Sequence, residues 1–263
     1  MTVRDITPTL APLLQELELE QPQVVSATEL AAWARQVGVT WPTDVVVRRL
    51  RESGWLLDLK TRGVWEFAPA ARAGALSSGD PLLEFRATLA RDRAGRFVVA
   101  AESAAYLLGL SSRRPTREVY AAPSDVRPPK ALSGYRLVRW PVPSCIEVRA
   151  GLPVWSTTTL LVAMAVSPGS YGDWPNVGEW LPTAVRGLDV DEFAFELKGR
   201  PRSVWARAAY LVDLGGRADE AAELLAQAPA GEGPYYLGER GRSSRYDSRY
   251  DVVDTTGMEV TSA

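Results

Sequence analysis

Asp44, Arg48 and Arg51 fall at i, i+4 and i+7 in the run TDVVVRRLRE, so on a helix they share one face. Val46, Val47 and Leu50 fall on the opposite side and read as core. Guanidinium groups such as Arg48 and Arg51 can bond guanine edges or phosphate oxygens, and the Thr43 hydroxyl can bond either. Lys60 and Arg62 bracket Thr61 just downstream, where two short apolar runs meet in a turn, and they suit contact with backbone phosphate. Thr43, Asp44, Arg48, Arg49, Arg51, Lys60 and Arg62 therefore form a candidate set for gripping a DNA duplex. The alternatives are a solvated helix face or a module that binds protein.

Other chemistries find little support. The chain has no histidine, which removes His-based triads, His metal ligands and the usual acid–base residue near neutrality. Only Lys60, Lys130 and Lys198 supply amines, and none sits in a phosphate loop. A single cysteine, Cys145, excludes an internal disulfide and a cysteine-rich zinc site. Gly-rich nucleotide motifs, serine elbows and metal-spaced acid clusters are missing from the sequence. Asp189, Asp191 and Glu192 are the carboxylates that a nucleic-acid-modifying enzyme could use. Their better reading is acidic charge complementing a helix N-terminus. No catalytic residue, metal or cofactor is expected, and the chain is expected not to be an enzyme.

The elements that must position the arginines are legible around them. Ser26-Ala27-Thr28-Glu29 is a capping box that starts a short helix with Leu30, Ala34 and Val37 on one stripe. Gly38 supplies the positive φ that ends it. Thr40 is the expected N-cap of the next helix, with Pro42 in its first turn. WLLDLK and VWEFA then read as two strands joined by Thr61-Arg62-Gly63. Upstream, ITPTLAPLLQELEL spaces Leu10, Leu13, Leu14 and Leu17 as a helix that packs behind the pair, with Gln21-Pro22 closing it. Helix, helix-turn-helix and hairpin in this order predict a winged helix-turn-helix, whose second helix can lie in a major groove.

The expected organisation is α+β: a winged domain over 1–70, a linker over 71–80, a second domain over 81–255 and a disordered tail over 256–263. The linker reading rests on the small residues of PAARAGALSSGDP, for which a rigid connection with a helical turn over 69–74 is the alternative. In the second domain, helical spacing appears at Pro81–Ala90, and Arg96–Ala100 reads as a strand leading into a helix at Glu102–Leu108. Further strands are expected at Arg117–Ala122, Tyr135–Trp140 and Cys145–Arg149, before a helix capped by Ser156. Helices follow near Val177–Arg186, Asp189–Lys198, Arg202–Asp213 and Ala218–Ala226. Strands first and helices later predict a mixed sheet with helices packed on it. In the tail, Arg245-Tyr246-Asp247 and Arg249-Tyr250-Asp251 belong to a tandem SRYD repeat. It reads as a strand with its tyrosines on one face and Tyr235–Leu237 as an antiparallel partner.

Whole-chain composition is that of an ordinary globular protein, with 46% hydrophobic and 24% charged residues and a net charge of −2. Any nucleic-acid surface must therefore be local. Eleven basic residues face four acidic ones between Arg86 and Arg139, whereas six face ten between Ala150 and Pro229. Arg113, Arg114, Arg117, Arg136 and Arg139 make a candidate basic patch for DNA, RNA or an acidic protein, with a solvated surface as the alternative. The N-terminus lacks the basic start and apolar core of a signal peptide. No stretch is long and apolar enough for a membrane span, so a cytoplasmic protein without membrane contact is expected.

Three stretches together carry a resemblance: the winged helix running into VWEFAPAARAG, the segment FVVAAESAAYLLGL…REVYAAP…YRLVRW, and the tail GPYYLGERGRSSRYDSRYDVVD. The chain resembles the AbiEi family of antitoxins from abortive-infection toxin–antitoxin systems. That resemblance implies an N-terminal winged helix that binds inverted repeats in double-stranded DNA upstream of its own operon and represses it. It also implies a C-terminal domain that counters a nucleotidyltransferase-like toxin, directly or indirectly, as a type IV antitoxin. A winged-helix regulator unrelated to a toxin and a modifying enzyme with an accessory winged helix are the alternatives.

Overall fold

The structure, a computed structural model, describes residues 7–72, 76–143, 145–238 and 245–259. It is α+β and divides into two compact units: Met1–Arg96 with Arg127–Gly134, and Phe97–Val126 with Tyr135–Ala263.

The first unit begins with a 3-10 turn, Pro8–Leu10, that runs into helix α1, Ala11–Glu20. Pro12 sits in the first turn, where its missing N–H satisfies nothing anyway. Leu13, Leu14 and Leu17 are buried, and Gln21 adopts the left-handed conformation (φ 43°) that ends the helix. Strand β1, Val24–Ser26, was not anticipated. Helix α2, Ala27–Gln36, starts at the expected capping box: Ser26 Oγ accepts the Glu29 N–H at 3.2 Å, and the Glu29 carboxylate accepts the Ser26 N–H at 2.8 Å. Gly38 takes φ 77°. Helix α3, Thr43–Glu52, has Pro42 and not Thr40 at its cap position, and no side chain caps it. The reason is steric: the ring of Pro42 disfavours helical backbone at Trp41, so the helix cannot start earlier.

Val46, Val47 and Leu50 of α3 close one core with Leu13, Leu17, Leu30, Trp55 and Phe67. Complete burial of each such side chain stabilises by about 1.5–3 kcal/mol. Strands β2, Leu56–Asp58, and β3, Val64–Phe67, pair antiparallel, and Gly63 (φ 77°) turns the chain between them. β1 pairs antiparallel with the other edge of β3, giving the order β1-β3-β2.

Helix α4, Leu83–Leu89, belongs to this unit, since Leu82, Leu83 and Phe85 are buried and α4 packs on β1 and β3. The compact division thus falls after Arg96, not at the expected 71–80. The described residues around that stretch are tied to β3. Buried Glu66 accepts from the Ser78 N–H at 2.5 Å and pairs with Arg72. Burial pushes the Glu66 carboxyl up, but hydrogen bonds from Ser78, Ser77 and Arg72 outweigh it and hold the group below the usual range.

The second unit is built on a five-stranded mixed sheet ordered β6-β5-β4-β8-β7: β4 Val98–Val99, β5 Val119–Ala122, β6 Arg136–Arg139, β7 Ile146–Arg149 and β8 Leu152–Trp155. β4–β8 and β5–β6 are parallel; β4–β5 and β7–β8 are antiparallel. Helix α5, Ala101–Leu107, follows β4 directly, with Ala101 at φ 47° in the turn. Ser156 caps helix α6, Thr157–Val166, by accepting the Thr159 N–H as expected. α6 is buried from Thr158 to Ala165, as an all-round apolar helix must be. Helices α7 Val177–Arg186, α8 Val190–Leu197, α9 Arg202–Leu214 and α10 Ala218–Ala226 follow near their expected bounds.

The tail differs from expectation. β9, Tyr235–Leu237, pairs in parallel with β11, Val252–Asp254, and β10, Arg245–Asp247, pairs antiparallel with β11. Only the first copy of the repeat is strand. The second is a turn in which Asp247 Oδ1 accepts the Arg249 N–H at 2.9 Å and Asp251 takes φ 53°. The two tyrosines therefore separate, Tyr246 exposed and Tyr250 buried. Ser244 and the expected ERGRSS turn lie outside the described residues, as do Ile6 and residues 260–263.

Candidate nucleic-acid interface

In the first unit, burial of Val46, Val47 and Leu50 forces the polar side of α3 outward. Asp44, Arg48, Arg49 and Arg51 are exposed and Thr43 is half-buried. Asp44 lies in the first helical turn, where a carboxylate suits the helix dipole. The three arginines are not equivalent. Arg49 reaches Glu52 at 3.6 Å, and Arg51 is paired with Asp58 of β2 at 2.5 Å. Among the described residues Arg48 has no ion-pair partner, so its guanidinium is the one left open for an external acceptor.

The hairpin tip is held from behind. The Lys60 N–H donates to Glu84 of α4 at 2.8 Å, and Arg91 Nη1 donates to the Arg62 carbonyl at 2.9 Å. The Lys60 and Arg62 side chains stay exposed. A cavity of about 620 Å³ opens beside the tip, lined by Ser26, Thr28, Glu29, Arg62, Arg91 and Arg93 among others. Arg91 and Arg93 were not in the candidate set. Their signal was visible as Arg-Asp-Arg, but the expected boundary assigned them to the second domain.

In the second unit, Arg113, Arg114, Arg117 and Arg136 come together around a cavity of about 330 Å³ with Glu102 and Asp173. Arg139 does not join them; its Nη1 donates to the carbonyls of Pro123 and Val126. The four that do meet are largely engaged. Arg114 pairs with Glu118 at 2.5 Å and stacks over Tyr106, and Arg136 pairs with Glu102 and donates to the Ser170 carbonyl. Arg117 donates to the Tyr135 carbonyl at 2.9 Å, and Arg113 stands 3.7 Å from Glu179. Of their acidic partners, Glu102 and Glu118 lie in the same basic segment, whereas Glu179 comes from the acidic stretch that follows.

Asp189 caps α8 by accepting the Asp191 and Glu192 N–H groups, both at 3.0 Å. That geometry belongs to a helix terminus. Among the described residues no group of three or more His, Cys, Asp or Glu side chains could hold a metal ion. No described helix is long and apolar enough to cross a membrane.

Comparison with known proteins adds to this picture. Residues 97–214 match the family described as the AbiEi antitoxin C-terminal domain. The crystal structure of the RV2827C protein from Mycobacterium tuberculosis is similar, with 30% identity and a TM-score of 0.77. That match covers 96% of this chain and 93% of that one. No curated protein matches.

Proposed function

The chain belongs to the AbiEi antitoxin family and acts as an antitoxin of a toxin–antitoxin system, and from that premise we propose that it also represses its own operon. In this reading the first unit binds inverted repeats in double-stranded DNA upstream of the operon. α3 enters the major groove, and Arg48, Arg49, Arg51, Thr43 and Asp44 face the bases and flanking phosphates. Lys60 and Arg62 contact the backbone beside the groove. The observation that carries the reading is α3 itself: its core face is buried among α1, α2 and the three-stranded sheet, and its outer face presents Arg48 without an acidic partner among the described residues.

The second unit counters the toxin, which we infer to be nucleotidyltransferase-like, and it does so without catalysis of its own. In this reading the setting is the cytoplasm. A cofactor has no role in this scheme.

A gel-shift titration of the full chain on its upstream DNA, against a scrambled duplex at matched salt, tests the reading. Preference for the upstream duplex is expected. The double substitution Arg48→Ala, Arg51→Ala should abolish it, at roughly 1–3 kcal/mol per base-reading contact. Equal binding of both duplexes by the unsubstituted chain would sink the autorepressor reading.

A further inference from the structure

Arg62, Arg91 and Arg93 line one open cavity of about 620 Å³ in the first unit. We propose that these three guanidinium groups form a backbone-phosphate clamp for duplex DNA, extending the contact made by α3 and the hairpin tip; the proposal rests on the DNA-binding reading of this unit.

The argument starts from where the neighbouring acids go. Asp92 stands between Arg91 and Arg93 in sequence and would be expected to neutralise them. Its carboxylate is instead turned inward, accepting from Arg96 N at 2.5 Å and Arg96 Nε at 2.9 Å. Only 1% of the Asp92 side chain is exposed. Glu29 also lines the cavity, and its carboxylate is occupied by the Ser26 N–H and hydroxyl at 2.8 and 2.7 Å. Asp92 is thus neutralised by Arg96, and Glu29, its Oε2 held by Ser26, leaves one carboxylate against three guanidinium groups around the cavity. The cationic side chains are exposed, and among the described residues neither Arg62 nor Arg93 has an ion-pair partner. Arg91 is oriented by its bond to the Arg62 carbonyl, which couples its position to that of the hairpin tip. The terminus of α2 on the cavity wall is already capped, so the arginine cluster and not the helix end carries the site.

Like charges held around one cavity repel unless an anion joins them. A duplex strand presents one phosphate per nucleotide, so it can meet three guanidiniums at once, with Arg62 shared between the clamp and the hairpin tip. Such contacts position the protein and carry no base preference.

The test is a titration of the full chain on the upstream and scrambled duplexes across a series of salt concentrations. Arg91→Ala with Arg93→Ala should weaken binding to both duplexes by the same factor. It should flatten the log affinity versus log salt slope by about 1.8, from roughly 0.9 per lost phosphate contact. Arg91→Lys with Arg93→Lys should keep most of the slope. If the double alanine variant does not fold, Arg93→Ala alone, which removes no ion pair or side-chain hydrogen bond among the described residues, should flatten the slope by about 0.9. An unchanged slope in the folded alanine variants overturns the clamp. Tighter binding of a single-stranded RNA than of either duplex, lost in the same variants, overturns the assignment to DNA. Equal binding of both duplexes by the wild-type chain, with the slope flattened in the alanine variants, keeps the clamp and discards the autorepressor reading.

Discussion

At the scale of single residues, the fold commits charged groups to two different kinds of work. Arg51 and Asp58 are both well exposed, so their pair is worth only about 0–1 kcal/mol and is easily exchanged for an external acceptor. Asp58→Asn should therefore leave stability nearly unchanged. It should tighten operator binding by about two- to fivefold, because Arg51 no longer gives up a partner and a negative charge is gone from the interface. Fluorescence anisotropy would check this, and weaker binding would place Arg51 away from the DNA. Glu66 is the opposite case: buried, and held below the ordinary carboxylate range by Ser78, Ser77 and Arg72 against its desolvation. An unfolded Glu66 takes up a proton at higher pH than the folded one. Its stabilising contribution is full above the ordinary value and is lost as pH falls through the depressed one. Acid unfolding of the intact chain should steepen across that window, and Glu66→Gln should be less stable near neutrality with a flatter acid limb. The capping box at Ser26 was readable because its partners lie three residues apart. The Glu66 site was not, since its partners lie up to twelve residues away and meet only through the turn after β3.

At the scale of elements, period and punctuation made most helices and several strands legible: the leucine spacing of α1, the Ser156 cap of α6, and Gly63 between β2 and β3. Two errors share a cause. β1 is three residues long, and β9 pairs in parallel with a strand beyond an intervening one, so neither leaves a periodic trace of its own. The SRYD copies look identical in sequence, yet β-branched Val252 and Val253 take the strand pairing and leave the second copy to turn. This small sheet is fastened to α9 by the buried Tyr210 hydroxyl, which donates to Asp254 Oδ2 at 3.0 Å. Burial and the adjacent Asp254 carboxylate push the Tyr210 phenol above its ordinary value, so it remains a donor across the physiological range. Tyr210→Phe should cost about 1–3 kcal/mol, the price of leaving a buried carboxylate short of a donor. Hydrogen exchange should quicken in residues 252–256 before it changes in α6. Uniform destabilisation across the second unit would mean that the sheet is no separate clasp.

At the scale of the whole molecule, a net charge of −2 hides an uneven division. Fourteen basic residues face twelve acidic ones in the first unit, leaving sixteen against twenty in the second. The winged domain expected over 1–70 holds seven basic residues against nine acidic ones and is near neutral; the compact unit adds Arg72, Arg86, Arg91, Arg93, Arg96, Arg127 and Lys130 against three further acids. Burial of Leu82, Leu83 and Phe85, with α4 packed on β1 and β3, brings that charge into the first unit. The family match, residues 97–214, lies wholly outside the first unit apart from the inserted Arg127–Gly134. DNA binding and toxin neutralisation should then be separable in the full chain. Supplied from an unrelated promoter, the variant carrying Arg48→Ala and Arg51→Ala should fail to repress a reporter driven by the upstream DNA. It should still protect cells from the toxin as well as the unsubstituted chain does, because neither substitution touches the matched residues. Loss of protection by a folded, normally abundant variant would show that neutralisation works through the DNA-binding unit, and would recast the second unit as support for it.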